Sequence, residues 1–420
     1  MRNNYIKKVL KNGVKLYLYI DSNMRKTYVD FAIDYGSNGK YFKFYYKNKL
    51  YKVGPGVAHF LEHLLGEHSK YGNLYKVFND KKYEVNGGTS LNYTRYYFCG
   101  TKDIKESIKE LINAIEEPIF TKEDVENSRK AIIEETKNPT NDKYSQNSFL
   151  AFYNSYKDLN IIDLTLSGIG NEQTTLNIDY DTLKLCYDAF YYDENKSILI
   201  AGNFDEEEMT NYIESIYDKI KPHKKMVKNY TYLNLDKYKR RKEIRYTNLS
   251  KDLVTISFKE KNTLKLSNLE LDTYIKFLIS SKLLQECKFV DNLVKQNILS
   301  HIWQKTSFIV NEEYFNIIIS SSVKDTDVYL KKLKKELKIN NFNEDDFNLF
   351  KKSIIADEAG KIDFKYSIFK RFHGLREYTE NFDDIDFYKS ISFNKFLEFY
   401  NELSFKDYTI SIFKDESSKI

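Results

Sequence analysis

The chain has 420 residues, 41% of them hydrophobic and 30% charged, enough for one large core or, more plausibly, two cores in two domains of ordinary size. Its 66 Lys and Arg nearly balance 61 Asp and Glu, and the two populations are interspersed, so the net charge of +5 argues against a dedicated nucleic-acid binder. No apolar run is long enough to span a bilayer, and the abundant aromatics (36 Tyr, 29 Phe) supply core and contact area rather than chemistry.

At the start, LKNGVKLYLYI alternates apolar and charged residues and has neither the unbroken apolar segment nor the cleavage site of a signal peptide. It reads as a first strand or hairpin with Asn12-Gly13 at the turn. Cys99, Cys186 and Cys287 are far apart and form no CxxC pair, so neither a disulfide framework nor a thiolate metal site is expected; a reducing cytoplasm fits.

Pro55-Gly-Val-Ala-His-Phe-Leu-Glu-His-Leu-Leu-Gly66 predicts a helix opened after Gly56 and ended near Gly66. At 100° per residue, Val57, Phe60, Leu61, Leu64 and Leu65 form one apolar stripe, and His59, Glu62 and His63 cluster opposite it. Two histidines at i and i+4 on one face can ligate one zinc ion, and a carboxylate one residue before the second can reach a water on that ion. H-x-x-E-H is one order of the zinc peptidase motif. The plainer reading, a wet helix face, has to place two of only six histidines at this spacing by coincidence. His68 falls off the face and reads as a surface residue, and His223, His301 and His373 stand alone.

A catalytic zinc needs a third protein ligand, with the fourth position left for water. A second helix beginning at a capping box, Thr121-Lys-Glu-Asp124, offers Glu134 and Glu135. Val125, Ser128, Ala131, Ile132 and Glu135 share one side of it, whereas Glu134 points away, so Glu135 is the expected ligand.

The chain also matches itself at a constant offset of 222 residues, Thr101 falling on Val323 and Phe120 on Phe342. Each half then reads as a β-rich stretch (93–100; 314–321) followed by two helices, an α+β unit used twice. Continued upstream, that offset sets Ser281, Leu284, Gln285 and Asp357 where the first half has His59, Glu62, His63 and Glu135, so the second half is expected to bind no such metal. The division expected is a catalytic half over 1–218, a polar linker over 219–245 and a second half over 246–420.

These residues resemble the pitrilysin/insulinase family of zinc peptidases, which includes mitochondrial processing peptidase-like and short bacterial forms. The matching segments are Leu10-Lys-Asn-Gly13, Gly56-Val-Ala-His-Phe-Leu-Glu-His63, Asn86-Gly-Gly-Thr-Ser90 with Thr94 and Tyr96, Pro118-Ile-Phe120, Ile132-Ile-Glu-Glu135 and Ala201-Gly-Asn-Phe-Asp205. The resemblance implies two homologous α/β-sandwich halves closed as a clam-shell around a peptide chamber. It also implies that Asn86, Gly87 and Thr89 lie on an edge strand to which substrate backbone pairs; taken alone, Asn-Gly-Gly fits a turn equally well. Two departures stand out. Ser128 occupies a place where the family often has a glutamate, and the second-half region 283–301 has none of the glycine, arginine and tyrosine that usually hold substrate.

The function expected is a zinc-dependent endopeptidase acting on peptides or small unfolded polypeptides, with Glu62 as general base and Zn²⁺ held by His59, His63 and Glu135. The alternative is a non-catalytic peptide-binding or structural subunit of a related complex. The second-half departure further suggests a related second subunit, the chain being the catalytic half of a heterodimer, with a homodimer as the other pairing.

Overall fold

The computed structural model describes residues 5–37, 41–90, 92–137, 143–157, 170–229, 236–309, 313–363 and 384–416. Contacts divide the chain into two compact units, Met1–Asn141 with Ile161–Tyr232, and Asp142–Asn160 with Leu233–Ile420.

The first unit opens with the hairpin β1 (Tyr5–Val9) and β2 (Lys15–Ile20), paired antiparallel around a turn in which Gly13 has φ 99° and donates its N–H to Leu10 O. Then come β3 (Thr27–Ile33), the short strands β4 (Lys43–Tyr46) and β5 (Lys49–Lys52), and helices α1 (Val57–Glu67) and α2 (Leu74–Asp80). Strands β6 (Glu84–Thr89) and β7 (Thr94–Gly100) lead to α3 (Ile104–Glu116) and α4 (Lys122–Lys137).

Helix α5 (Lys143–Asn154) follows, although it packs in the second unit. The first unit resumes with α6 (Glu172–Leu176), α7 (Tyr180–Phe190), β8 (Lys196–Gly202), α8 (Glu206–Tyr217) and β9 (Val227–Asn229). Its main sheet runs β1-β2-β8-β3-β7-β6, with β6 at the edge, and β5-β4-β9 form a smaller one. The all-buried β8, KSILIAG, sits centrally because every one of its side chains finds a covered face.

The second unit has β10 (Lys242–Thr247), β11 (Asp252–Lys261), α9 (Asn268–Leu283), α10 (Lys288–Lys295), β12 (Leu299–Ile309), β13 (Tyr314–Val323), α11 (Thr326–Glu336) and α12 (Glu344–Asp363). Helices Asp384–Ser390 and Phe393–Glu402 precede the last strand, β14 (Tyr408–Asp415). The sheet order β10-β14-β11-β13-β12 repeats the first unit strand for strand as β2-β8-β3-β7-β6. The pairing senses match as well: β2 with β8 and β10 with β14 are parallel, and the remaining neighbours are antiparallel. The internal repeat is therefore a repeat of topology, and each unit has its own apolar core.

Three sequence expectations change here. Residues 143–157 fold with the second unit, because α5 and the residue after it bond to that sheet: Asn147 Nδ2 donates to Leu253 O (3.0 Å), Ser148 and Ser320 share a hydrogen bond (2.7 Å), and Ser155 and Thr409 share another (3.0 Å). The 219–245 stretch is not only a connection, since β9 pairs with β4 and β10 enters the second sheet; residues 230–235 of it lie outside the described residues. The 222-residue offset holds for the helices after the central strands (α4 begins at 122, α12 at 344) but not upstream, where α1 ends at 67 and α9 at 283, a difference of 216. Leu284 and Gln285 therefore lie beyond the end of α9, and the positions topologically matching His59, Glu62 and His63 fall among Tyr274, Ile275, Phe277, Leu278 and Ile279, all buried and apolar. The second unit replaces the polar cluster with core.

Candidate metal centre

Helix α1 starts after Gly56, whose φ of 92° suits a residue without a side chain at the turn into the helix. Val57, Phe60, Leu61, Leu64 and Leu65 are at most 2% exposed, so the apolar stripe is fully used. The opposite side is covered too: His59 and Glu62 are only 6% and 7% exposed, which is unusual for such residues unless they have partners.

The partners come from α4 and β6. Thr121 and Asp124 cap α4 reciprocally, Thr121 N–H donating to Asp124 Oδ2 (2.8 Å) and Asp124 N–H to Thr121 Oγ1 (3.2 Å). Helix α4 packs on α1, and Glu135 Oε2 reaches His59 Nε2 at 3.5 Å and His63 Nε2 at 3.4 Å, with the two Nε2 atoms 3.2 Å apart. Among the described residues, His59, His63 and Glu135 form the group of three able to hold a metal ion. A tetrahedral zinc with bonds of about 2.0–2.1 Å has its ligand atoms about 3.3–3.4 Å apart. The donor set and its spacing fit that ion.

Glu62 stands beside this group, and Thr89 Oγ1 on β6 donates to its Oε2 at 2.8 Å. Burial raises the pKa of Glu62, and the neighbouring histidines and Thr89 only partly offset this. For His63, burial alone would lower the pKa, but the hydrogen bonds to Glu135 and Glu67 outweigh it and push it up to about 10. Glu135 is held far below the usual carboxylate range by its hydrogen bonds to His59 and His63. A site this rich in negative charge draws a cation, whether a proton or a metal.

Asn86, Gly87 and Thr89 lie on β6, so the Asn-Gly-Gly stretch is strand rather than turn, and among the described residues β6 is an edge strand of the sheet. Together with Gly88, Tyr75, His59, Glu62, His63 and Glu135 these residues line an open cleft of about 340 Å³. Gly87 leaves room for these groups: an added Cβ would lie 2.4 Å from Tyr75 Oη and 2.8 Å from Glu62 Oε1, so they would have to shift, whereas at Gly88 nothing lies within 4 Å.

Sequence reasoning missed Glu67, whose Oε1 takes the second ring nitrogen of His63 at 3.0 Å, the arrangement that orients a metal-binding imidazole. Its spacing of four from His63 was the available signal. Ser128 donates to Glu67 Oε2 (3.3 Å), so the carboxylate comes from α1 while α4 supplies a hydroxyl. His68 is not a free surface residue: it joins Asp124 Oδ1 and Ser128 Oγ, each at 3.0 Å, tying the end of α1 to α4. His223 is held by Asp188 O (2.9 Å), His301 is exposed on β12, and His373 lies outside the described residues.

Comparison with known proteins accords with this architecture. Residues 52–157 match the insulinase family (peptidase family M16) and residues 177–353 match the peptidase M16 inactive domain. The chain belongs to the insulinase (M16) peptidase family. It is 29% identical over 205 residues to the uncharacterized zinc protease YmfH of Bacillus subtilis (strain 168), an alignment covering 49% of this chain and 47% of that protein, so it spans about half the length of that relative. Two solved structures share the fold over nearly their full lengths. An M16-like peptidase from Alicyclobacillus acidocaldarius has a TM-score of 0.84 at 19% identity, covering 99% of both chains. A protease from Helicobacter pylori has a TM-score of 0.78 at 16% identity, covering 98% of this chain and 99% of that one.

Proposed function

We propose that the chain is a zinc-dependent endopeptidase cleaving peptides or small unfolded polypeptides. The observation that carries this reading is the convergence of His59 Nε2, His63 Nε2 and Glu135 Oε2 at 3.2–3.5 Å beside the buried carboxylate of Glu62. When bound, zinc supplies a Lewis acid that polarises a carbonyl and lowers the pKa of a coordinated water toward neutrality. His59, His63 and Glu135 hold the ion, and Glu67 fixes the ring of His63. Glu62 is the general base: it takes a proton from the attacking water and delivers it to the leaving amine, a role that its raised pKa suits. The free edge of β6, at Asn86, Gly87 and Thr89, takes the substrate backbone as an added strand, which reads extension rather than side-chain identity.

The chain works beside a related second subunit, or a second copy of itself, that contributes further substrate-holding groups. The support is that 283–301, forming the end of α9, α10 and the start of β12, has no arginine or tyrosine to offer. A reducing compartment such as the cytoplasm suits its three free cysteines, and no helix among the described residues is long and apolar enough to cross a membrane.

The test is metal analysis of the chain purified without chelators, beside cleavage of a quenched-fluorescence peptide library. One zinc per chain and cleavage abolished by a chelator and restored by zinc is the expected result. A chain that binds no zinc overturns the reading.

A further inference from the structure

Helix α2 carries a residue that the mechanism above leaves unused. Tyr75 is half-buried and lines the same cleft as His59, Glu62, His63 and Glu135. Its ring occupies a notch made by two glycines that are distant in sequence. A Cβ at Gly66 on α1 would lie 2.6 Å from Tyr75 Oη and 2.7 Å from its Cε2; a Cβ at Gly87 on β6 would lie 2.4 Å from Oη. Neither position could carry a side chain with the phenol in place.

The notch delivers the hydroxyl to the reacting groups. The missing Gly87 Cβ lies 2.4 Å from Tyr75 Oη and 2.8 Å from Glu62 Oε1, so those two oxygens are at most about 5.2 Å apart, the sum of the two distances. Glu62 Oε2 is already engaged by Thr89, leaving Oε1 on the side of Tyr75. Tyr75 Oη itself makes no hydrogen bond among the described residues. Its oxygen opens on the cleft, where it can bond to a group that enters. Burial first, and then the charges of Glu62, Glu67 and Glu135, hold its pKa well above the ordinary tyrosine value, so at neutral pH it offers a proton to share.

We propose that Tyr75 is a further catalytic residue, whose phenol donates a hydrogen bond to the oxygen of the scissile carbonyl as that oxygen gains negative charge. This rests on the peptidase reading. A group attacked by water activated at Glu62 is within reach of Tyr75 Oη, and a donor fixed before the reaction stabilises developing charge without reorganising. The balance of the step is unchanged: the bond from water oxygen to carbonyl carbon forms, the C–N bond breaks, the water proton passes through Glu62 to the amine, and Tyr75 keeps its own proton throughout.

The experiment is Tyr75→Phe, with wild type and Gly66→Ala beside it, each assayed for zinc content, thermal midpoint, kcat and KM on one cleaved peptide. Calorimetric affinity for a phosphinic peptide, which imitates the tetrahedral carbon, is measured on the same proteins. In Tyr75→Phe, zinc and midpoint should hold, KM should stay within about 3-fold, and kcat and phosphinic-peptide affinity should both fall by roughly 10²-fold. Gly66→Ala, which displaces the ring, should lower kcat too and add little to the loss in Tyr75→Phe. Unchanged kcat in Tyr75→Phe, loss of its zinc, or a fall in kcat with undiminished phosphinic-peptide affinity overturns the proposal. A wild-type chain that holds zinc and cleaves no peptide overturns the peptidase reading itself, an outcome distinct from active wild type with equally active Tyr75→Phe.

Discussion

Thr89 Oγ1, on the edge strand β6, donates to Glu62 Oε2, on α1, at 2.8 Å, linking the strand that would receive substrate to the carboxylate that would activate water. That bond favours ionised Glu62 against the burial that raises its pKa. Thr89→Val removes it, so the pKa of Glu62 should rise further. Because the base acts only when ionised, the acid limb of the kcat/KM profile should move to higher pH, with more activity lost at pH 6 than at pH 8. A profile that scales down uniformly would show that Thr89 acts elsewhere.

Glu67 is held to His63 Nδ1 at 3.0 Å and accepts from Ser128. Glu67→Gln keeps the shape but loses the charge that makes the imidazole a better ligand. Zinc affinity measured by competition with a chromophoric chelator should fall roughly 10–100-fold. Unchanged affinity would reduce Glu67 to a helix-surface carboxylate.

The helix α1, its capping glycine and the facing of Glu135 were legible in sequence because each depends on a local period of 3.6 residues. The duplicated topology was legible through α3 and α4, where no gap separates the halves. Alignment of α1 with its counterpart α9 failed largely because β12 has 11 residues where β6 has 6, a difference an ungapped comparison cannot absorb. Tyr75 left no signal, since its position depends on Gly66 and Gly87, which only folding brings together. The placement of α5 was not legible, because its serine and asparagine do not announce which sheet they will bond.

Metal binding should be strongly pH-dependent. The pKa of His63 is raised from 6.5 to about 10 in the metal-free chain, so the folded state keeps a proton there that the unfolded state releases. This contribution to metal-free stability is complete below 6.5 and disappears as the pH rises through about 10. Zinc needs the ring neutral, so binding at pH 7 should expel about one proton, and affinity should rise about tenfold per pH unit. Calorimetry in two buffers of different ionisation enthalpy measures that proton; a buffer-independent heat at pH 7 would contradict the assignment.

Gly87 and Gly88 are adjacent on β6 yet differ in surroundings, since only at Gly87 would a Cβ overlap Tyr75 and Glu62. The overlapping atoms are side-chain ends, so Gly87→Ala should keep the fold and its zinc while displacing the reacting groups. A misplacement of this kind costs about 10²-fold in turnover. Gly88→Ala should leave the thermal midpoint unchanged. Wild-type turnover in Gly87→Ala would mean that the cleft tolerates a side chain there.

The central claim is that Glu62 does the proton transfer while His59, His63 and Glu135 hold the metal. Zinc stoichiometry and peptide turnover measured together on Glu62→Gln test it most directly. One zinc per chain with turnover reduced about 10²–10⁴-fold, beside zinc-free His59→Ala, His63→Ala and Glu135→Ala, is the expected outcome. Glu62→Gln that cleaves peptides at the wild-type rate, or that loses its zinc as the ligand variants do, would contradict the claim.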